Sequence, residues 1–350
     1  MTAGRRPTLA AWLETLLARQ WWQPRVSLLA LCLWPLSLLY GGLAALRRVI
    51  AVRPQALPVP LLVVGNLIAG GAGKTPTVIA LVAAFRAAGR RPGVISRGQG
   101  RHDGAVREVS PADEAQAVGD EPLLIRRRTS EPVWVGRDRA EAARALCARH
   151  PHVDVLIADD GLQHAGLAPD AALIVFDDRG IGNGLLLPAG PLRQTLPARL
   201  SSRTRVLYTG SRASTTLPGT IAQGKISVAW PLAAWQQGDA ASSVVLGALR
   251  DRPLLAVAGL AAPEKFFTAL EEAGLSIERL ALPDHYAYRT LPWAADRTDV
   301  ITTEKDAVKL DPRRLGLTRV WVVPLDLQLP AGLADELLTL LRPASTAAKP

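Results

Sequence analysis

The chain has 350 residues, of which 49% are hydrophobic, and a formal net charge of +10 at neutral pH. This length favours one large or two medium α/β units, and the charge suits nucleic acid, an anionic membrane or a phosphorylated substrate. Aromatic residues make up only 5% of the chain, which makes nucleic acid the weakest of the three. Cys32 and Cys147 are isolated, which disfavours disulfides or a zinc site and fits a reducing cytoplasm.

An uncharged apolar run occupies residues 26–46. About 20 such positions suffice to cross a bilayer, and the arginines and tryptophans around the run are typical of membrane interfaces. Pro35 and the Gly41-Gly42 pair interrupt the pattern. The run is therefore either a spanning helix or a broken anchor in one leaflet, with a core helix pair as the third alternative. We expect residues 1–53 to form an apolar helical membrane-associated segment.

A strand, a glycine-rich loop and a helix follow in that order between residues 61 and 88. Glycines let consecutive backbone N–H groups curl around phosphate oxygens, and the helix N-terminus adds favourable partial charge. Ile68 stands where the usual phosphate-loop pattern has its first glycine, and Gly70 and Gly71 compensate. Lys74 is then expected to reach the β- and γ-phosphates of ATP, and the Thr75 hydroxyl to bind Mg²⁺. The predicted nucleotide-binding residues are Ile68, Ala69, Gly70, Gly71, Ala72, Gly73, Lys74 and Thr75.

A second apolar strand, predicted over residues 153–158, ends in Asp159-Asp160. Adjacent aspartates at a strand end repel each other unless a cation lies between them. Downstream of a phosphate loop this is the Walker B arrangement, in which a carboxylate holds Mg²⁺ directly or through water. We therefore predict that Asp159 and Asp160 are metal ligands.

Charged side chains also follow other predicted strands. Arg97 follows the strand at residues 92–95, Arg137-Asp138 follows residues 133–135, and Arg193 lies in the proline-rich loop at residues 182–194. The carboxyl ends of parallel strands are where open α/β sheets bind ligands. Arg97, Arg137, Asp138 and Arg193 are therefore candidate substrate contacts, with solvated loops as the alternative. Asp120 stands where a helix begins, so a capping role is as plausible there as catalysis.

The composition changes near residues 211–251 to Ser, Thr, Gly, Gln and Ala, which indicates a junction. A second α/β pattern then begins at residue 254. We expect a phosphate-loop kinase domain at residues 54–215, a junction at 216–252 and a smaller α/β lobe at 253–350. The predicted fold class is a mostly parallel, phosphate-loop NTPase-like sheet flanked by helices. Thr303-Glu304-Lys305-Asp306 is similar to the guanine-recognition signature but has Glu304 where that signature has lysine.

Taken together, these motifs resemble one family, the tetraacyldisaccharide 4'-kinases, or lipid A 4'-kinases, of Gram-negative bacteria. The similar stretches run in family order over nearly the whole chain. They are Gly65-Asn66, Gly70 to Pro76, Ser96-Arg97-Gly98, Gly119 to Pro122, Gly136 to Arg139, Asp159 to Gly161 with Gln163-His164, Leu187 to Arg193, Pro263 to Phe267, Pro283 to His285 and Thr303 to Asp306. The departures include Gln99 for tyrosine, Gln194 for glutamate and Leu260-Ala261-Ala262 for Ile-Gly-Asn.

The resemblance implies phosphorylation by ATP and Mg²⁺ of the 4'-hydroxyl of a tetraacylated glucosamine disaccharide 1-phosphate, which gives lipid IVA. It implies that Asp120 and His285 pair across two lobes to activate that hydroxyl, with Lys74 as the third catalytic residue. The implied partners are this glycolipid and inner-membrane lipid at the cytoplasmic face, with neither nucleic acid nor an obligate protein partner. We also expect the lobes to close before chemistry.

Two other classes of protein compete with this interpretation. A membrane-anchored transport ATPase or metallochaperone GTPase would share the phosphate loop and the Walker B strand. Neither would need Asp120, His285 or the loop around Arg193, and a GTPase would need the signature that Glu304 interrupts. A basic nucleic-acid-binding module would instead bind in a strongly salt-dependent way.

Overall fold

The computed structural model describes residues 17, 20–23, 25–50, 56–101, 103–164 and 166–341. Residues 1–16, 18, 19, 24 and 51–53 of the predicted membrane-associated segment lie outside this description. The described part contains two large sheets, and we call the elements around the eight-stranded sheet the first lobe and those around the six-stranded sheet the second lobe.

The first lobe is an eight-stranded sheet in the order β3-β4-β2-β5-β1-β6-β7-β8. All neighbours are parallel except β3 and β4. Its strands are β1 Leu61–Gly65, β2 Pro92–Ser96, β3 Arg107–Glu108, β4 Val133–Val135, β5 Val155–Asp159, β6 Ala171–Phe176, β7 Thr204–Tyr208 and β8 Thr220–Ile221. The four strands β1, β2, β5 and β6 are apolar runs buried on both faces, as parallel strands covered by helices are.

Strand β1 lies between β5 and β6, so the chain leaves it toward one edge and later returns to its other side. In open α/β sheets, such a reversal opens a crevice at the carboxyl ends of the strands. The first-lobe helices are α2 Lys74–Ala87, α3 Ala115–Val118, α4 Asp120–Thr129 and α5 Arg139–Arg149. The phosphate loop and Asp159-Asp160 both emerge at this crevice, because β1 and β5 pair in parallel.

The second lobe is a six-stranded sheet in the order β11-β10-β15-β14-β12-β13. Its strands are β10 Val228–Pro231, β11 Val244–Val245, β12 Leu254–Ala258, β13 Ile277–Ala281, β14 Asp299–Thr303 and β15 Arg319–Val323. The small strands β9 Gln223–Lys225 and β16 Asp326–Gln328 pair with each other. The helices are α6 Leu232–Gln237, α7 Glu264–Glu272, α8 Glu304–Ala307 and α9 Leu333–Leu341.

The stretch predicted as a junction, residues 216–252, carries strands of both lobes. Strand β8 pairs with β7 in the first sheet, and β10 pairs antiparallel with β15 in the second. These strands are only two to four residues long, and β8 and β9 are exposed. Strands this short do not show the alternation over four or more residues that identifies a strand from sequence.

The apolar run near the N-terminus forms helix α1, Leu28–Ile50, which continues through Pro35 and through the Gly41-Gly42 pair. The predicted break in this helix is therefore wrong. Over Leu28–Arg47 the helix is long and apolar enough to cross a membrane, and only 11% of its apolar window is buried. A core helix would be mostly buried, so that alternative is excluded for the part of the chain that the structure describes.

One side of α1 nevertheless contacts the first lobe. The Ser37 hydroxyl donates to the Leu186 carbonyl at 2.8 Å and accepts from the Ala189 N–H at 3.0 Å. The Tyr40 hydroxyl donates to the Arg193 carbonyl at 3.1 Å. These contacts attach the middle of α1 to the proline-rich loop at residues 182–194.

Candidate active site

The phosphate loop connects β1 to α2 at the crevice. Gly73 precedes the helix with φ 83°, and a Cβ there would lie 2.8 Å from the Thr209 hydroxyl. Only glycine suits this left-handed and crowded position. Helix α2 begins at Lys74, directly after this glycine.

The backbone of the loop is arranged as an anion cradle. No described residue accepts a hydrogen bond from the N–H groups of residues 70–75, although the Ala69 N–H donates to the Pro191 carbonyl at 2.8 Å. Gly70 and Gly71 are exposed, whereas Ile68 and Ala72 are fully buried beneath them. N–H groups without acceptors at a helix N-terminus attract phosphate oxygens. Ile68 therefore supports the loop through its buried side chain.

Two residues that the sequence did not single out hold this loop in place. The Arg179 guanidinium pairs with Asp177 at 2.8 Å and donates to the Gly71 carbonyl. The Thr209 hydroxyl donates to the Ala72 carbonyl at 3.1 Å. Arg179 follows β6 and Thr209 follows β7. No local sequence motif identifies either residue, because the groups that they contact are distant in sequence.

Asp160 is held by two cations at the end of β5. Lys74 Nζ lies 3.6 Å from its carboxylate, and Arg193 donates to both of its oxygens at 3.0 and 3.2 Å. Burial alone would raise the pKa of Asp160, but Lys74 and Arg193 outweigh burial and lower it. The structure thus brings Lys74, Asp160 and Arg193 into one cluster.

Asp159 is fully buried beside this cluster and is under-coordinated. Ser96 donates to one of its oxygens at 3.4 Å, while its other oxygen has no partner among the described residues. Burial and the nearby Glu121 carboxylate raise the pKa of Asp159 to about 7. An orphaned carboxylate oxygen beside a second carboxylate, at the strand end next to the phosphate loop, fits Mg²⁺. This ion usually takes one or two protein carboxylates and completes its shell with water and substrate phosphate.

The substrate candidates at the neighbouring strand ends differ in their surroundings. Arg97 and Arg137 are exposed. The Asp138 carboxylate accepts from the N–H groups of Ala140 and Glu141 and so caps α5. The following Arg139 is buried and lies close enough to Asp159 and Asp160 for their charges to raise its pKa, although burial lowers it overall. Arg139 was missed because a buried arginine cannot be distinguished from an exposed one by sequence.

The Asp120 and His285 side chains meet across the two lobes. His285 Nδ1 lies 2.8 Å from Asp120 Oδ2. Asp120 begins α4 and is buried, and His285 follows β13 with φ 58°. The bond to Asp120 raises the pKa of His285, and the pKa of Asp120 is lowered despite the opposing effect of burial. A carboxylate–histidine pair of this kind can accept a proton from a hydroxyl group.

Glu121 lies between this pair and the acidic pair Asp159-Asp160. It follows Asp120 on α4, and its charge contributes to the raised pKa of Asp159. It also lies 3.4 Å from Lys305 of the second lobe. Glu121 therefore lies between the Asp120–His285 pair and Asp159, close enough to influence the charge of Asp159.

The stretch similar to a guanine signature has a different role here. The Glu304 carboxylate is buried, accepts from Arg128 of α4 at 2.7 Å, and accepts from the Trp235 indole at 3.0 Å. Asp306 accepts from the Gly259 N–H at 2.9 Å and from the Thr303 hydroxyl at 2.8 Å. These contacts join the lobes and fold the loop, and neither carboxylate faces a base pocket.

A phosphate loop with an adjacent acidic pair, next to a carboxylate–histidine pair, defines a nucleotide-dependent phosphotransferase. The sequence model of one family, LpxK, described as tetraacyldisaccharide-1-P 4'-kinase, matches residues 29–342. The chain belongs to this family, and it is a kinase. The resemblance drawn from the motifs is confirmed.

Curated relatives have the same family name, and one solved structure has the same fold. The tetraacyldisaccharide 4'-kinase of Leptothrix cholodnii is 52% identical over 316 residues, covering 88% of this chain and 90% of that protein. The same-named protein of Methylibium petroleiphilum is 49% identical over 342 residues, covering 95% of each. A structure described as the "apo" form of LpxK from Aquifex aeolicus in complex with ATP superposes with a TM-score of 0.71 at 24% identity, covering 90% of this chain and all of that one. The predicted fold class is confirmed.

Proposed function

We propose that the chain transfers the γ-phosphoryl group of ATP to the 4'-hydroxyl of a tetraacylated glucosamine disaccharide 1-phosphate, giving lipid IVA. The observation that carries this proposal is the 2.8 Å contact between Asp120 and His285, next to Glu121, whose charge acts on Asp159 of the acidic pair. Transfer to a sugar hydroxyl needs a group that accepts the hydroxyl proton, whereas an ATPase has no sugar hydroxyl to deprotonate. The proposal is further supported by the family to which the chain belongs.

The nucleotide-binding half of the reaction rests on positioning and charge. Phosphoryl transfer proceeds through a loose transition state, so neutralising charge on the phosphoryl oxygens lowers the barrier most. The loop N–H groups bind the phosphates, and Lys74 follows the transferred group. Lys74 and Arg193 lie 3.6 and 3.0 Å from the Asp160 carboxylate. ATP then competes with Asp160 for both cations.

Thr75, Asp159 and Asp160 would hold Mg²⁺, which would neutralise the β- and γ-phosphate oxygens when bound. Asp120 accepts the proton of the 4'-hydroxyl, and His285 orients Asp120 and stabilises its charge. Because a loose transition state leaves the proton on the hydroxyl until late, this pair contributes roughly 10²- to 10⁴-fold. Arg97, Arg137 and Asp138 remain candidate contacts to the disaccharide 1-phosphate.

The chain reaches its lipid through α1 at the cytoplasmic face of the inner membrane. Removing an acyl chain from the bilayer costs about 0.8 kcal/mol per CH₂, so the enzyme must go to its substrate. The exposed side of α1 is apolar, with Leu31, Trp34 and Leu39 about half exposed. Since Ser37 and Tyr40 fasten the opposite side to the first lobe, we favour a helix that lies in one leaflet. The arginine-rich surface supports residence on anionic lipid.

The test is a transfer assay with γ-phosphate-labelled ATP and the tetraacylated disaccharide 1-phosphate in mixed micelles. We expect label in the chloroform-extractable lipid with the wild-type chain. With Asp120→Asn we expect a loss of roughly 10²- to 10⁴-fold in kcat, and an unchanged KM for ATP because Asp120 does not contact the phosphate loop. Release of label only as inorganic phosphate would overturn the proposal in favour of an ATPase.

A further inference from the structure

The Lys305 side chain bridges the two lobes beside the Asp120–His285 pair. Its ammonium lies 3.3 Å from His285 Nε2, 3.0 Å from Asp284 and 3.4 Å from Glu121. The side chain is only 15% exposed. The three groups belong to the loop after β13 and to α4, so one cation contacts both lobes.

A lysine ammonium has three donors and no acceptor. Its contact with His285 Nε2 is therefore favourable only when that nitrogen carries a lone pair. The ring proton must then sit on Nδ1, from which it donates to Asp120 Oδ2. The alternative tautomer, with hydrogen on Nε2, would place two donors face to face and would leave no donor toward Asp120.

We propose that Lys305 is a positioning residue that holds His285 in the neutral tautomer with its proton on Nδ1, ready to orient Asp120. This proposal rests on the catalytic roles proposed for Asp120 and His285. Lys305 acts through His285 and contacts no part of the phosphate loop.

The charges around His285 act in opposite directions. Asp120 and Asp284 favour the imidazolium form, and Lys305 disfavours it. The charged groups that face the ring or its partners come from every neighbouring element: Asp120 and Glu121 of α4, Asp284 beside His285, Lys305 of α8 and Lys309 just after it. Removing Lys305 leaves the carboxylates without their closest cation, so the imidazolium form persists to higher pH.

The test measures the pH dependence of kcat for Lys305→Met. In the profile of kcat against pH, we call the fall in kcat on the acid side the acid limb, and we expect it to move to higher pH by about one unit. The reduction in kcat should be largest at neutral pH. The KM for ATP should stay unchanged. Lys305→Arg keeps the charge and should restore most of the profile. Lys265→Met is the matched control, because Lys265 forms another ion pair between the lobes, 2.8 Å from Asp178, and its loss should leave the acid limb in place.

A second readout does not depend on catalysis. The chain has five histidines, so nitrogen-15-labelled histidine, assigned with His285→Gln, reports the His285 titration by NMR. We expect the neutral form to carry its proton on Nδ1 and the midpoint to rise in Lys305→Met, or in Lys305→Gln if the methionine variant does not fold. The proposal would be overturned if Lys305→Met lowered kcat equally at every pH, without moving the acid limb of the pH profile or the midpoint of the His285 titration. If His285→Ala kept full activity, the proposed catalytic pair would fail, whereas the NMR midpoint would still decide the role of Lys305.

Discussion

The two ends of the crevice are built in different ways. The nucleotide end, with Lys74, Asp160 and Arg193, belongs to the first lobe, and neighbouring strands of one sheet position these side chains. The acceptor end, with Asp120 and His285, joins residues 165 positions apart from the two lobes. The pairing of strands within one sheet determines the geometry of the nucleotide end. The contact between the two lobes determines the geometry of the acceptor end.

This difference predicts where each end is vulnerable. Changes at the nucleotide end should affect ATP directly and leave the lobes in place. Changes at the lobe interface should spare the phosphate loop and disturb the contact between Asp120 and His285. That contact measures 2.8 Å. Closure of the lobes before chemistry stays a prediction, and any closure would have to preserve this contact.

The largest expected effect is at the nucleotide end. Lys74→Met removes the cation that we propose follows the transferred phosphoryl group, and we expect kcat to fall by roughly 10³-fold or more. ATP binding should also weaken, which Asp120→Asn should not cause. Turnover in the lipid phosphorylation assay and ATP titration by calorimetry measure the two effects.

Lys265→Met is again a suitable control, since Lys265 is an exposed cation paired with Asp178. It should keep both kcat and ATP affinity close to those of the wild-type chain. If Lys74→Met retained ATP affinity and turnover, the nucleotide would not be bound as proposed, and the contrast between the two ends would disappear.

A smaller effect is expected from loosening the lobe interface. Arg128→Met leaves the buried Glu304 carboxylate without its closest cation, which contacts it at 2.7 Å. Breaking a buried ion pair from one side costs about 3–5 kcal/mol. We expect a loss of this order in the free energy of unfolding, measured by denaturant titration, together with a lower kcat.

The double variant Arg128→Met with Glu304→Gln should recover part of this stability, because no buried charge is then unpaired. The matched comparison is Arg205→Met, which breaks an exposed pair with Glu336 at 2.6 Å. Exposed pairs contribute less than about 1 kcal/mol. Equal losses in Arg128→Met and Arg205→Met would show that the Arg128 pair does not hold the lobes together.

The sequence predicted the nucleotide end better than the acceptor end, for a physical reason. Strand β1, the glycine loop and Lys74 are contiguous, and the acidic pair follows an apolar strand, so local patterns contain the information. The Asp120–His285 pair came from resemblance to a family. Arg139, Arg179 and Lys305 received no role from the sequence, because their partners come from distant parts of the chain. The strands near residues 220–245 were missed because they are only two to four residues long and too short to show apolar periodicity.

The smallest expected effect concerns pH and sharpens the description of the acceptor end. The pKa of His285 is raised above its ordinary value of 6.5 by Asp120. Its contribution to stability is therefore fully present below pH 6.5 and is lost as the pH rises through the raised value. The pKa of Asp120 is lowered from 3.8 despite burial, with His285 as the largest of the opposing causes. Its contribution is present above pH 3.8 and is lost as the pH falls through the lowered value.

The pair should thus stabilise the chain most between about pH 4 and pH 6.5. Since His285 is partly exposed to water, the effect should stay below about 1 kcal/mol. The measurement is the difference in unfolding free energy between the wild-type chain and His285→Ala at several pH values. A difference that grew from pH 6 to pH 9 would have the wrong sign for a histidine held by a carboxylate, and would mean that the two lobes do not meet through this pair in solution.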